Sequence, residues 1–176
     1  MGTKSILRLK SSLQESILDM LNAQIKMEAH STSAYLAMSA WCHEQGLIEC
    51  GDYYKHQSDE EREHMLRIYD YIIDMGGKAI SPEVSNIQHE FADLRALFEL
   101  ALEMEVAITD SFNKMSATCV KNADFQTLKF FDWFLEEQKE EEDNARRALE
   151  IYDLIGIELD GLFQIDHQVA KLGKKA

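Results

Sequence analysis

Proline is nearly missing from this chain, and glycine and cysteine are sparse. The 176 residues include one proline, Pro82, with eight glycines and three cysteines. Because proline and glycine interrupt helices, their scarcity favours long helices over strands, as do eight methionines and many Glu, Leu, Ala and Lys residues. A chain of this length can bury a four-helix core without disulfides. We therefore predict an all-α protein with a single domain over residues 1–176.

Cysteine pairs and long apolar runs are also missing. Cys42, Cys50 and Cys119 are widely spaced and form no C-x-x-C pair, so neither a disulfide framework nor a zinc or rubredoxin-type site is indicated. No run approaches the roughly 18 to 20 apolar residues of a membrane span, and residues 1–10 are too weakly apolar for a signal peptide. These absences predict a cytoplasmic protein with no membrane partner.

Positive charge is in deficit. The chain has 18 Lys and Arg residues against 32 Asp and Glu residues, which gives a formal net charge of −14. A nucleic-acid surface needs clustered Lys and Arg, so we expect no nucleic-acid partner. An acidic protein attracts cations, but acidity also simply keeps proteins soluble, so net charge supports a metal-binding function only weakly.

Helical periodicity divides the chain into two pairs of long helices. A capping-box pattern at Ser12 and Glu15 starts the first helix, and the four-helix bundle is predicted over residues 12–154, after an N-terminal extension over residues 1–11. Residues 78–90 lack periodicity and are longer than the usual bundle connection, so we predict a crossover that returns the chain along the bundle. The predicted helices cover residues 12–44, 47–75, 91–120, 124–154 and, as a short fifth helix, 160–172.

One constellation of polar residues occurs twice in the chain. A glutamate is followed 33 residues later by a Glu or Gln, and three residues after that by a His or Glu. An (i, i+3) spacing puts the last two side chains on one face of a helix. Two such halves that face each other would form a carboxylate-rich site for two metal ions. The first half is Glu28, Glu61 and His64, and the second half is Glu105, Gln138 and Glu141.

These residues interrupt the apolar stripes of the four predicted helices. An ionised carboxylate on a core-facing stripe is costly unless a cation compensates it, and no Lys or Arg falls on the four stripes. A misassigned helix face would explain one such glutamate, but not one on each of four helices. The four glutamates match the charge of two divalent ions, and carboxylates with sparse imidazole suit iron or manganese. In a helix bundle such a site points to a di-iron centre.

The residues around these positions resemble the bacterial non-haem ferritins from about residue 13 to residue 172. The resemblance implies a ferritin-like four-helix bundle with a long crossover between helices 2 and 3 and a short fifth C-terminal helix. It also implies iron storage, in which Fe(II) is oxidised by O2 or H2O2 and kept as a ferric mineral in a hollow homo-oligomeric shell of twenty-four subunits. The segments that carry it are Met27-Glu28 with Tyr35, Glu60-Glu61-Arg62-Glu63-His64-Met65, Glu105-Val106-Ala107-Ile108-Thr109, and Trp133 with residues 136–142.

The same resemblance implies a role for each residue of the di-iron site. Glu28 and His64 would bind the first iron. Glu61 would bridge the two ions, and Glu105 with Glu141 would bind the second. The activity implied for this centre is that of a ferroxidase.

Further roles implied by the resemblance concern the surroundings of the centre. Gln138 would be the neutral group beside the second iron. Tyr35 would lie next to the centre as a hydrogen-bonding and redox-active group, although a buried tyrosine that only caps a carboxylate would explain it equally well. A third iron site would face the storage cavity and share Glu141, and its own residues would be Glu60, Glu137 and Glu140.

Related classes of protein fit the chain less well. The bacterioferritins carry a Glu and a His where this chain has Gln138 and Glu141, and their haem-ligating Met follows the bridging Glu, where this chain has Arg62. We therefore expect no haem. A rubrerythrin-type oxidoreductase would need two Glu-x-x-His pairs and a cysteine-rich module. DNA-protecting miniferritins take their ligands from two subunits and lack a fifth helix.

Overall fold

The computed structural model describes residues 11–158 and 160–173, and every regular element in this part of the chain is an α-helix. Two helical hairpins, α1 with α2 and α3 with α4, pack against each other through α1 and α3, and α5 packs on α2 and α4. The predicted all-α bundle with a short fifth helix is therefore confirmed. The helices are α1 Glu15–Glu44, α2 Ile48–Asp74, α3 Leu94–Lys121, α4 Phe125–Ile155 and α5 Gly161–Val169.

The predicted crossover is present and links the end of α2 to the start of α3 over residues 75–93. The side chain of Asn22, on α1, holds it to the bundle by accepting a hydrogen bond from the Ile80 backbone N–H (2.9 Å) and donating one to the Lys78 carbonyl (3.1 Å). Helix α3 begins later than predicted because Asp93 is its N-cap and accepts from the Ala96 N–H at 2.8 Å.

The capping box predicted at Ser12 is wrong. The residue that precedes α1 is Gln14, which has an extended backbone and makes no side-chain cap. Leu13 is buried against the core, and the Ser11 hydroxyl both accepts from the Leu13 N–H and donates to the Met75 carbonyl. These contacts keep residues 11–14 out of the helix, which begins at Glu15. Residues 1–10 of the predicted N-terminal extension lie outside the described part of the chain.

The apolar core consists of two clusters, one at each end of the bundle. On α1, Ile25 belongs to one cluster and Tyr35 to the other; on α2, Ile68 and Tyr54 are divided in the same way. The polar residues of the repeated constellation lie between the clusters, so apolar side chains shield them from water on both sides. None of the helices in the described residues combines the length and apolarity that a bilayer-crossing segment needs.

Helix α5 is fixed to the bundle because one of its side chains caps the N-terminus of α2. The buried carboxylate of Asp166 accepts hydrogen bonds from the backbone N–H groups of Cys50 (2.7 Å) and Glu49 (3.2 Å), in the first turn of α2. These N–H groups have no acceptor within their own helix. His167 Nδ1 also lies 3.1 Å from the Glu49 carboxylate. The predicted fifth helix, residues 160–172, is observed in a shorter form that ends at Val169.

Replacing Asp166 with alanine is expected to lower the free energy of unfolding by about 1–2 kcal/mol, because two N–H groups lose their acceptor. Denaturant unfolding followed by circular dichroism measures this change. Asp160→Ala is the matched control, since Asp160 is exposed and makes no side-chain cap; its effect should stay within about 0.5 kcal/mol. Equal effects of the two substitutions would contradict the capping role.

Candidate metal centre

The six residues of the repeated constellation are brought to the interior of the bundle by four different helices. All six are buried, with exposures between 0% for Glu28 and 6% for Glu141. Their positions at mid-helix follow from the apolar stripes on either side, whose burial turns the same helix face inward. Helix α1 supplies Glu28, α2 supplies Glu61 and His64, α3 supplies Glu105, and α4 supplies Gln138 and Glu141.

Within this set, Glu28, Glu61 and His64 form a compact group whose ligand atoms all lie within 4.8 Å of one another. Across residues 11–158 and 160–173, no other set of three or more His, Cys, Asp or Glu side chains is this close. Three buried atoms of the group, Glu28 Oε2, Glu61 Oε2 and His64 Nδ1, have no hydrogen-bond partner. Because unsatisfied buried polar atoms are costly, a metal ion bound among them would remove that cost.

The second half is arranged differently, since both carboxylate oxygens of Glu105 accept hydrogen bonds. The Tyr35 hydroxyl donates to Oε1, and Gln138 Nε2 donates to Oε2 at 3.0 Å. Neither Glu105 nor Glu141 joins the compact group. The structure thus buries all six predicted residues together but clusters only the three of the first half.

Aromatic residues of α4 fix the orientation of His64. Its ring makes edge contacts with Trp133 (5.4 Å between centroids) and Phe134 (6.0 Å). The Arg67 guanidinium lies over the Trp133 ring, 4.0 Å from the ring centre, a distance typical of a cation–π interaction. Trp133 therefore packs between α4 and α2 and supports the histidine of the candidate site.

Burial strongly shifts the ionisation of the site carboxyl groups. It is the largest cause that raises the pKa of Glu28, followed by the charge of Glu61. Burial and then Glu105 raise the pKa of Glu61, and burial raises the pKa of Glu105 against the opposing hydrogen bonds. For Glu141, burial followed by the charges of Glu105 and Glu60 raises the pKa to about 8. Without metal, the raised pKa values favour the protonated forms of these carboxyl groups, and a bound cation would displace the protons.

The residues predicted for a third iron site line one pocket on the outer side of Glu141. Its volume is about 190 Å³. The Glu60 carboxylate accepts a hydrogen bond from Gln57 Nε2 and lies 3.6 Å from His56 Nε2. The pocket is lined by Gln57, Glu60, Glu137, Glu140, Glu141, Asn144 and Gly173. The three carboxylates share a pocket, and their binding of iron stays a prediction.

Gln24 and Ser111, which sequence reasoning missed, are linked to the site by hydrogen bonds. Gln24, on α1, is fully buried and donates from Nε2 to Glu28 Oε1 at 2.8 Å. Ser111, on α3, donates its hydroxyl to Gln24 Oε1 at 2.5 Å. Gln24 stands one helical turn before Glu28, so its polar side chain at that spacing was a usable signal. Ser111 carried no such signal, because its contact depends on how α3 packs on α1.

The fold and the site together define a four-helix-bundle protein with a buried carboxylate and histidine group at mid-length. Residues 18–155 match the family model of the ferritin-like domain, and the chain belongs to the ferritin family. The predicted resemblance to bacterial non-haem ferritins is confirmed by relatives of that type. Membership of this family supports iron storage as the role of the protein.

The relatives match nearly the whole chain. It is 31% identical over 164 residues to a probable bacterial non-heme ferritin-like protein of Haemophilus influenzae, an alignment that covers 93% of this chain and 99% of the relative. It is 33% identical over 158 residues to a bacterial non-heme ferritin of Staphylococcus saprophyticus, with coverages of 90% and 95%. An open-pore ferritin of the hyperthermophilic archaeon Archaeoglobus fulgidus superposes with a TM-score of 0.87 at 29% identity, covering 90% of this chain and 98% of that one.

Proposed function

We propose that the protein is a ferroxidase that oxidises Fe(II) at the mid-bundle site and stores Fe(III) as a mineral. The observation that carries this proposal is the compact group of Glu28, Glu61 and His64, with one unsatisfied buried atom in each side chain. Four buried carboxylates in the whole set would balance two Fe(II) ions. The storage site would be the cavity of a hollow shell of 24 copies, the assembly predicted from the family resemblance.

Each half of the site would hold one iron ion as substrate. Glu28 and His64 would bind the first, Glu105 and Glu141 the second, and Glu61 would contact both. Glu61 suits this shared role because it is close to Glu28 and its pKa responds to the charge of Glu105. Gln138 would add a neutral amide oxygen or orient a water molecule beside the second iron.

The two halves would fill in order. The first half already presents atoms without hydrogen-bond partners. In the second half, Tyr35 and Gln138 already donate to the two oxygens of Glu105, so these hydrogen bonds compete with a cation for the same carboxylate. The proposed sequence is therefore binding at Glu28, Glu61 and His64, followed by rearrangement around Glu105 and binding of the second ion.

The electrons and protons of the reaction balance through iron and water. Two Fe(II) ions give two electrons, which reduce O2 to H2O2 or H2O2 to two water molecules, and either reduction consumes two protons. Hydrolysis of the two Fe(III) ions to ferric mineral releases more protons than this reduction consumes. Tyr35 supports the second half by its hydrogen bond to Glu105, and its redox role stays a prediction.

Oxidised iron would leave through the pocket that adjoins Glu141. Glu60, Glu137 and Glu140 line this pocket and would bind the ion on its way to the cavity as the third iron site. A cation is more stable beside this acidic lining than beside the apolar side chains elsewhere in the bundle. A cytoplasmic location, the absence of haem, and the absence of nucleic-acid partners remain predictions from the sequence.

Anaerobic titration with Fe(II), followed by exposure to O2 or to H2O2, tests this function. We expect about two Fe(II) ions per subunit to bind at low loading, a ferric absorbance to appear on oxidation, and excess iron to form cores inside particles of constant diameter. Light scattering and electron microscopy measure the particles. Oxidation no faster than in buffer, together with the absence of a shell, would refute the proposal.

A further inference from the structure

Gln24 and Ser111, two residues outside the predicted ligand set, form a hydrogen-bonded network behind Glu28. Ser111 on α3 donates its hydroxyl to Gln24 Oε1, and Gln24 on α1 donates from Nε2 to Glu28 Oε1. Gln24 has no exposed surface. These two hydrogen bonds therefore connect α3 to the first half of the metal centre through one glutamine amide.

The two hydrogen bonds fix the orientation of the Gln24 amide. If the amide turned over, its carbonyl oxygen would meet the Glu28 carboxylate, and two acceptors would oppose each other in a buried site. The Ser111 hydroxyl stabilises the observed orientation because it donates to the carbonyl end. The amide N–H of Gln24 is thus held against Glu28.

This contact makes the two oxygens of Glu28 unequal. Oε1 accepts from Gln24 at 2.8 Å, whereas Oε2 is buried without a partner. We propose that Gln24 is a positioning residue that makes Glu28 bind the first metal ion through Oε2 alone, and that Ser111 holds Gln24 in place. The inference rests on the metal-binding role proposed above for Glu28.

The consequence is a first half that is ready to bind without rearrangement. Glu105 has hydrogen bonds on both oxygens, so the two halves differ in how many donors protect their carboxylate. With one oxygen tied and one open, Glu28 loses little side-chain freedom when the metal binds. Groups that hydrogen-bond to ligating residues typically change metal affinity about 10- to 100-fold, so Gln24 should set much of the affinity of the first half.

Anaerobic titration with Co(II) tests the inference without any turnover. The visible absorption bands of bound Co(II) report its binding. Gln24→Met keeps the length and packing of the side chain but removes both hydrogen bonds. We expect the first Co(II) equivalent to bind about 10-fold more weakly. Its visible bands should also become less intense, because Glu28 could then bind through both oxygens and raise the coordination number. Ser111→Ala should act in the same direction, by about 3-fold, since the amide remains but can turn.

Ser39→Ala is the matched control. Ser39 is a buried serine of α1 whose hydroxyl donates to the Gly51 carbonyl at 2.7 Å, away from Glu28, so affinity and spectrum should equal those of the wild type. A folded Gln24→Met variant with affinity within twofold of wild type and the same spectrum would overturn the inference. If that variant does not fold, an unchanged Ser111→Ala titration overturns it. A wild-type protein that binds no Co(II) would instead refute the proposed function, on which the inference depends.

Discussion

Replacing Glu28 and Glu105 together with alanine is expected to slow Fe(II) oxidation on the order of 100-fold or more. The pair takes one carboxylate from each half of the proposed centre, so neither iron ion keeps its full set of ligands. The loss corresponds to roughly 3 kcal/mol of activation free energy, a modest share of what a metal site contributes to catalysis. Stopped-flow absorbance at two Fe(II) ions per subunit measures the rate.

The comparison needs a variant that loses the same charge elsewhere on the same helices. Glu44 on α1 and Glu103 on α3 are both exposed, so Glu44→Ala with Glu103→Ala serves as the control and should oxidise Fe(II) at the wild-type rate. Circular dichroism and particle size establish that both double variants fold and assemble. Wild-type oxidation by a folded Glu28→Ala, Glu105→Ala protein would show that the reaction occurs at another site.

The bundle was predictable because burial acts on whole helix faces. The spacing of apolar residues defined four stripes, and the long stretch around Pro82 required a crossover. Helix ends were less predictable, because they depend on contacts between distant parts of the chain. Ser12 has the sequence of a cap, but the burial of Leu13 and the contact between Ser11 and Met75 outweigh that local preference.

The site was predictable to the extent that it depends on the same periodicity. Helical spacing turned Glu61 and Glu141 inward, because each stands on a stripe whose neighbours must be buried. The sequence distinguishes the halves by residue type, with His64 in the first and the neutral Gln138 in the second. Their difference in hydrogen bonding was not predictable, since the hydrogen bonds of Glu105 with Tyr35 and Gln138 depend on interhelical distances and side-chain rotamers.

The metal-free protein is expected to lose stability as the pH rises from about 5 to 8. The pKa of Glu141 is about 8 in the folded protein, against an ordinary value of 4.5, so between these values the folded state binds more protons than the unfolded state. Stability therefore falls with pH, by about 5 kcal/mol for this group alone over the full interval. The raised pKa values of Glu28, Glu61 and Glu105 act in the same direction.

Denaturant unfolding of chelator-treated protein at several pH values measures this slope, with Glu141→Gln as the comparison. The amide does not titrate, so this variant should lose less stability between pH 5 and pH 8 than the wild type. If the unfolding free energy changed equally with pH in the two proteins, Glu141 would have the same pKa in the folded protein as in the unfolded chain.

A divalent ion added in the absence of O2 should reverse the trend. It binds the ionised carboxylates and displaces their protons, so its affinity rises with pH, and its stabilising effect follows that affinity. The gain in unfolding free energy on adding Co(II) should therefore be larger at pH 8 than at pH 5, where protons compete for the same oxygens. A gain that does not change with pH would show that Co(II) binds outside these carboxyl groups. The opposite slopes with and without metal would arise from one cause, which is that the buried carboxyl groups must hold either protons or cations.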